Sequence, residues 1–269
     1  PRTTYMALLV VKNSMSAYTY PLRPSPCPLA LPSPALFSRM AFMRRLPAVL
    51  RRFRVPNRGV VHIGAHQGQE LPLYEAFGFQ RQVWVEPQPG VFARLKGVLP
   101  QRAGVWAFNV ACGDAPGEAT MHVLENNAGL SNSLLEPALH LDEYPAYSRG
   151  GTLQVPVVRI DDLLAEHGVD ASGFSLLTLD IQGYELHALR GAPRLLGAVD
   201  AVLSEVNTRE LYKGCALLGD IDAHLAGAGF VRVMTSINRH HFGDAFYVRP
   251  RAINGLERLR LAVIGPRGR

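Results

Sequence analysis

From Gly59 onward the chain repeats one rhythm. A short β-branched or aromatic run gives way to a break of Gly, Pro, Asn or Asp, and a stretch of helical period follows. The apolar runs are VVHIG, QVWVEP, VWAFNVACG, FSLLTLDI, DAVLSEVN, FVRVMT and DAFYVRP. Helix candidates between them are QELPLYEAFG, GVFARLKGVL, DDLLAEHG, GYELHALRGA and LLGDIDAHLAGAG. Strands that are apolar along their whole length are buried on both faces, and helices alternating with them supply crossover connections. The pattern therefore predicts an α/β domain over residues 59–250, with a mainly parallel sheet and helices on both faces. Ligands of such sheets sit beyond the carboxyl ends of the strands. The unusual residues Gly64, Glu86, Asn109, Asp180 and Glu205 fall there. An insertion, residues 115–174, carries EATMHVLENNAGLSNSLLEP and TLQVPVVRI. It reads as added strands around a polar loop, a plausible cover for the substrate.

Charge is divided unevenly. Residues 1–58 hold ten Lys/Arg and no acid, 59–248 twelve against twenty-one acids, and 249–269 six against one. The folded body is acidic, which argues against nucleic acid as a partner, because a basic groove across the fold is what such binding needs. The first 58 residues form a basic, Pro- and Arg-rich extension. Six prolines between Pro21 and Pro34 exclude helix there and predict disorder. A helix is expected near 40–54, in LFSRMAFMRRLPAVLRRFRV, whose arginines suit weak peripheral contact with a membrane. The plainer reading is a leader helix packed on the domain, or upstream sequence translated from a misassigned start. Residues 251–269 read as a basic tail. No run of about 18 apolar residues predicts a membrane span. Cys27, Cys112 and Cys215 form no CxxC pair, so reduced thiols and a cytoplasmic location are expected.

The stretch VVHIGAHQGQE places Gly64 and Gly68 four residues apart, whereas the dinucleotide fingerprint needs three glycines spaced GxGxxG. A tight turn with room for a nucleoside, but without the third close approach for a pyrophosphate, is what remains. Glu86 ends the second strand 22 residues after Gly64, near the spacing at which an acid accepts hydrogen bonds from ribose hydroxyls. NVACGD then supplies Asn109 and Asp114 near an adenine, Asp114 serving equally well as a turn residue. Glycine turn, ribose acid and third-strand polar residues, in that order, describe a site for S-adenosylmethionine.

With HIGAHQGQE, VEPQP, NVACGD, NAGLSNSLL, LLTLDIQGYELHALRGA, LSEVN, ELYKGC and GDAFYVR, the chain resembles the FkbM-type methyltransferases from about Val60 to Val248. The resemblance implies a class I methyltransferase fold: a seven-stranded, Rossmann-like sheet with its last strand antiparallel. It also implies S-adenosylmethionine as donor and an oxygen acceptor on a sugar or natural product. Carried across by motif, Gly64, Ala65 and Gly68 line the cofactor, Glu86 holds its ribose, and Asn109, Val110 and Ala111 border its adenine. His62 is expected to contact the cofactor as well, and it stands where the family more often has an acid that anchors the methionine amino group.

Asp180 ends a buried strand just before the helix that Gly183 opens, a position from which a base meets the acceptor hydroxyl; its structural alternative is an N-cap. Ser131, Asn132, Gln182, Glu205 and Asn207 are candidate substrate contacts at the same edge. No metal is expected, since His62 and His66 lie in a strand-to-turn segment rather than a helix. His140, in the insertion, is a reserve base expected to be exposed to solvent. Two other readings compete. An NAD(P)-dependent oxidoreductase shares the rhythm and the ribose acid, but the third glycine and any Tyr-xxx-Lys pair are missing. A non-catalytic S-adenosylmethionine-binding module is favoured by His62 alone. The GxxxxGK[ST] loop and the Asn/Asp-Pro-Pro-aromatic element of base-methylating enzymes are both absent.

Overall fold

The computed structural model describes Met43, residues 45–253 and Gly255. The expected disorder of the Pro-rich stretch and most of the basic tail lie outside these residues. In chain order the elements are α1 (Leu46–Arg52), β1 (Gly59–Ile63), α2 (Leu71–Phe77), β2 (Arg81–Val85), α3 (Pro89–Val98) and β3 (Val105–Phe108). Next come β4 (Ala111–Cys112) and, within the insertion, β5 (Gly117–Glu125), α4 (His140–Glu143) and β6 (Ser148–Val158). The rest is α5 (Ile160–Glu166), β7 (Leu176–Leu179), α6 (Glu185–Arg190), α7 (Pro193–Ala198), β8 (Ala201–Asn207), α8 (Leu218–Gly227), β9 (Val231–Ile237) and β10 (Phe242–Val248).

Seven strands form one sheet in the order β3-β2-β1-β7-β8-β10-β9. β1, β2, β3, β7 and β8 pair in parallel, and β10, the last in the chain, lies antiparallel to both β8 and β9. This is the expected doubly covered, mainly parallel sheet with its last strand reversed, the class I methyltransferase arrangement. The chain order reverses on either side of β1 and β7, which opens a crevice at their carboxyl ends. Both faces are dry. Val61, Ile63, Val83, Val85, Leu177 and Val202 join α5 to α8 on one side. Val60, Trp84, Leu176, Leu203 and Phe246 join α1 to α3 on the other.

The core extends upstream of Gly59. Helix α1 turns Leu46, Val49 and Leu50 inward, with Met43 and Phe53 buried beside them and the Phe53 ring 6.1 Å from that of Phe246. Each such apolar side chain contributes about 1.5–3 kcal/mol on burial. Arg45, Arg51 and Arg52 stay exposed on the opposite side. The apolar stripe of this segment is thus used within the protein.

Strands β5 and β6 of the insertion join β4, which precedes it, in a second sheet of three strands, in the order β4-β6-β5, with β5 and β6 antiparallel and β4 joining β6 in parallel. Between β5 and β6 the chain leaves this sheet and crosses the carboxyl edge of the main one. Among the described residues no helix is long and apolar enough to cross a membrane.

Candidate functional site

At that edge a cleft with about 620 Å³ between its walls, mouth included, is lined by Gly64, His66, Glu86, Gln88, Val110, Ala111, Asn132, Asp180, Gln182 and Tyr184, among others. The floor is the turn after β1. Both Gly64 and Ala65 donate their backbone N–H to the Val85 carbonyl at 2.9 Å, which locks the turn to β2. Gly64 takes φ +84°, and a Cβ there would collide with the Asp180 carbonyl oxygen. Only glycine meets both demands, so β1 and β7 approach closely and the floor stays open. Ala65 is buried beneath the turn, and Gly68, at φ +77°, closes it by donating to the Ala65 carbonyl.

Glu86 follows β2 directly and is 3% exposed. Its Oε2 accepts the His66 backbone N–H and its Oε1 that of Gln88, both at 2.9 Å. Burial nevertheless holds the carboxyl above the ordinary glutamate range, the two backbone donors offsetting only part of the desolvation. A carboxylate oxygen has capacity for more than one donor, so hydroxyls remain suitable partners. Asn109 stands behind this acid rather than in the cleft. Its Nδ2 donates to the carbonyls of Glu86 and Pro87 at 2.8 and 2.9 Å and sets the bend that presents Glu86. Val110 and Ala111 do line the cleft, together with Cys112, whose thiol burial pushes up to about 12.

The insertion closes the side. His66 Nε2 donates to the Ala128 carbonyl at 3.0 Å while its Nδ1 accepts from Gln69 at 2.7 Å, which fixes a neutral tautomer; burial lowers its pKa. Gln88 Nε2 donates to the Gly129 carbonyl at 3.2 Å, and its Oε1 accepts from Asn132 Nδ2 at 2.6 Å. Loop 126–132 is thereby tied across the cleft to both the glycine turn and the segment after Glu86.

Asp180 lines the opposite wall. Gln182 Nε2 donates to Asp180 Oδ1 at 2.7 Å and to Glu205 Oε2 at 2.9 Å, and its Oε1 accepts from the Tyr212 hydroxyl at 2.8 Å. Gln182 adopts φ +57°, sparsely populated for a residue with a side chain. Glu185 caps the same loop, accepting from the N–H groups of Ile181 and Gly183 at 2.9 and 3.2 Å. Its role is structural: it satisfies donors at the start of α6.

The structure brings Gly64, Glu86, Val110, Ala111, Asn132, Asp180 and Gln182 onto one cleft. Others stand outside its lining. His62 is fully buried, because alternation along β1 turns it to the Trp84 face, where its Nδ1 meets the Tyr74 hydroxyl at 3.1 Å. The cofactor contact expected of it is not what its position provides. Ser131 is buried, with its carbonyl accepting from Tyr212 at 3.2 Å. Glu205 is bonded to Gln182 of the cleft wall, and Asn207 is buried at the end of β8. His140 corrects the expectation of exposure. It is 3% exposed, stacked 5.1 Å from the Tyr212 ring, with its pKa lowered to about 4 by burial and by His240.

His66, Gln88 and Tyr184 are cleft residues that sequence reasoning did not select. VEPQP contained the signal for Gln88, two residues after the acid. Asp114, exposed, pairs with His187 at 3.2 Å rather than reaching the cleft. Among the described residues no group of three or more His, Cys, Asp or Glu is placed to hold a metal.

The family described as methyltransferase FkbM domain matches residues 62–232. The chain is similar to the 2-O-methyltransferase NoeI of Sinorhizobium fredii, with 25% identity over 183 residues, covering 66% of this chain and 73% of that protein. Among solved structures it is similar to magnesium protoporphyrin IX methyltransferase (ChlM) from Synechocystis PCC 6803. With SAM bound that enzyme gives 12% identity, coverage of 82% of this chain and 86% of the other, and a TM-score of 0.43. With SAH bound the values are 10%, 80%, 84% and 0.43.

Proposed function

From the premise that this chain belongs to the FkbM family of S-adenosylmethionine-dependent methyltransferases, we propose that it methylates a hydroxyl of a small, polyhydroxylated acceptor. The residues present fit the cofactor. The Gly64 turn leaves space no side chain occupies, Glu86 offers a buried carboxylate to a ribose diol, and Val110, Ala111 and Cys112 give an apolar bed for a base. When bound, S-adenosylmethionine supplies an electrophilic methyl group on a sulfonium.

The observation that carries the reading is Asp180. Asp180 lines the cleft at the end of β7, and its carboxylate accepts from the Gln182 amide at 2.7 Å. There it accepts the proton of an acceptor hydroxyl as the oxygen becomes nucleophilic. Displacement at a methyl group needs the oxygen close, aligned and screened from water, so positioning supplies most of the rate. Loop 126–132, tied over the cleft, excludes water from it. The similarity to a 2-O-methyltransferase supports oxygen over nitrogen as the acceptor atom. Buried thiols at Cys112 and Cys215, both free, support a reducing, cytoplasmic setting.

Binding of labelled S-adenosylmethionine and of NAD to the full chain tests the reading, followed by methyl release onto hydroxylated and amine acceptors. Micromolar binding of S-adenosylmethionine alone and transfer to hydroxyls are expected. Preference for NAD, or transfer to amines only, rules the reading out.

A further inference from the structure

Behind Gln182 two kinds of polar group meet. Asp180, Gln182, Glu205 and the Tyr212 hydroxyl form a bonded relay. Next to it stands an aromatic layer from three distant segments. His140 stacks on Tyr212 and lies 5.0 Å from Tyr144, which in turn lies 4.7 Å from His240 and 6.4 Å from Phe242. Within this layer both ring nitrogens of His140 and the Tyr144 hydroxyl are buried and make no hydrogen bond among the described residues. The same is true of Asn207 Nδ2, two residues beyond Glu205 on the same strand face and paired across the sheet with Phe242. Burial, then Tyr147 and then Glu205 hold the Tyr144 hydroxyl well above its usual pKa, so it stays a donor.

Buried polar atoms without partners destabilise a fold by about 1–3 kcal/mol each, and native proteins keep few. Two such side chains, His140 and Tyr144, pack here among aromatic faces, and the third, Asn207, lies across the sheet from Phe242 of the same layer, while the relay next to them is bonded. A bland packing role does not account for them, because Phe or Leu would fill the same volume without the penalty. We propose that Tyr144, His140, Asn207 and Glu205 form the acceptor subsite, taking a ring that carries several hydroxyl groups. The aromatic faces cover the ring, Tyr144 and Asn207 donate to its oxygens, and Glu205 accepts from one hydroxyl. Gln182 leads from this subsite to Asp180 in the cleft. Tyr147 and Phe242, both half-buried, carry the layer outward.

This assignment rests on the function proposed above, and the test separates the two. Tyr144→Phe removes only an unpartnered atom, and Asn207→Leu replaces the amide whose Nδ2 is unpartnered with an apolar group of similar size, so a structural role predicts unchanged or higher Tm and unchanged chemistry. The full chain and both variants are assayed for Tm and for SAH affinity by calorimetry. Ligand-observed NMR of the SAH complex and labelled methyl transfer are run with methyl pyranosides, their monodeoxy forms, myo-inositol and cyclohexanol. Expected are intact Tm and SAH affinity, binding and methylation of the polyols over cyclohexanol, and a loss of roughly 30- to 100-fold in kcat/KM in each variant, as for a site built around substrate hydroxyls. Variants that match the parent overturn the subsite. So does a parent that binds S-adenosylmethionine yet prefers cyclohexanol or leaves every polyol unbound and unmethylated. A parent that fails to bind S-adenosylmethionine overturns the function instead.

Discussion

The two halves of the carboxyl edge are built differently. On the β1-β2-β3 side, Glu86, Gln88, Asn109 and His66 are all tied to backbone groups, and the glycine turn is clamped to Val85. On the β7-β8 side a bonded relay borders His140, Tyr144 and Asn207, whose ring nitrogens, hydroxyl and Nδ2 are buried and, among the described residues, unbonded. The first half is organised before any ligand arrives, which lowers the cost of binding. The second retains groups whose partners arrive with the ligand.

The sharpest way to break the contrast is at the hinge between the halves. Gly64→Ala sets a side chain against the Asp180 carbonyl at φ +84°, forcing β1 and β7 apart. We expect more than about 4 kcal/mol of destabilisation, or no folded protein, by thermal or denaturant melts. A melt within 1 °C of the parent would show that the close approach is not required. Asp180→Asn comes next. It keeps the shape and a bond to the Gln182 amide through its oxygen but removes the proton acceptor. The expected loss in kcat is about 10² to 10⁴-fold, with SAH affinity near normal by calorimetry. Full turnover would reduce Asp180 to an element of the loop.

Glu86→Gln probes the preorganised half. One charge-assisted acceptor is replaced by a donor, and the predicted loss of SAH affinity is about 10- to 100-fold, from hydrogen bonds to a charged group worth about 1.5–3 kcal/mol. A pH series sharpens it. Because burial raises the Glu86 pKa, the carboxyl takes up its proton at a higher pH than a free glutamate. Affinity is therefore full above that raised value and falls as pH decreases through it. The substituted protein lacks this step in its calorimetric profile.

The same division separates what the sequence disclosed from what it withheld. Gly64, Glu86 and Asp180 were legible because each follows an apolar strand directly, so chain order alone puts them at the sheet's edge. His62 misled for a local reason. The family position was matched, but the one-residue alternation of β1 aims this side chain into the Tyr74–Trp84 core. The acceptor half was opaque because it is assembled by long-range contacts. Residues 138 and 140 hang from the Leu211 carbonyl, and Tyr212 reaches Ser131 and Gln182 at once. No periodicity within 140–147 encodes that meeting, and a histidine in a polar insertion reads as exposed until the Tyr212 ring is placed on it. Helix α7 escaped for a simpler reason: PRLLGA is too short to show a period.

The smallest effect concerns the tie between the halves of the cover. His66→Ala removes the donor to the Ala128 carbonyl and the acceptor for Gln69, while Gln88 still holds Gly129 and Asn132. One neutral hydrogen bond is worth about 1 kcal/mol, so loop 126–132 should open roughly five times more often. Ala128 favours release, since φ +55° is a strained conformation for alanine. The expected signature is kinetic: association and dissociation of SAH both quicken by that factor in stopped flow, and Kd barely moves. If dissociation alone quickens and Kd rises in step, His66 touches the cofactor directly, and the preorganised half includes a ligand contact where the hydrogen bonds place a latch.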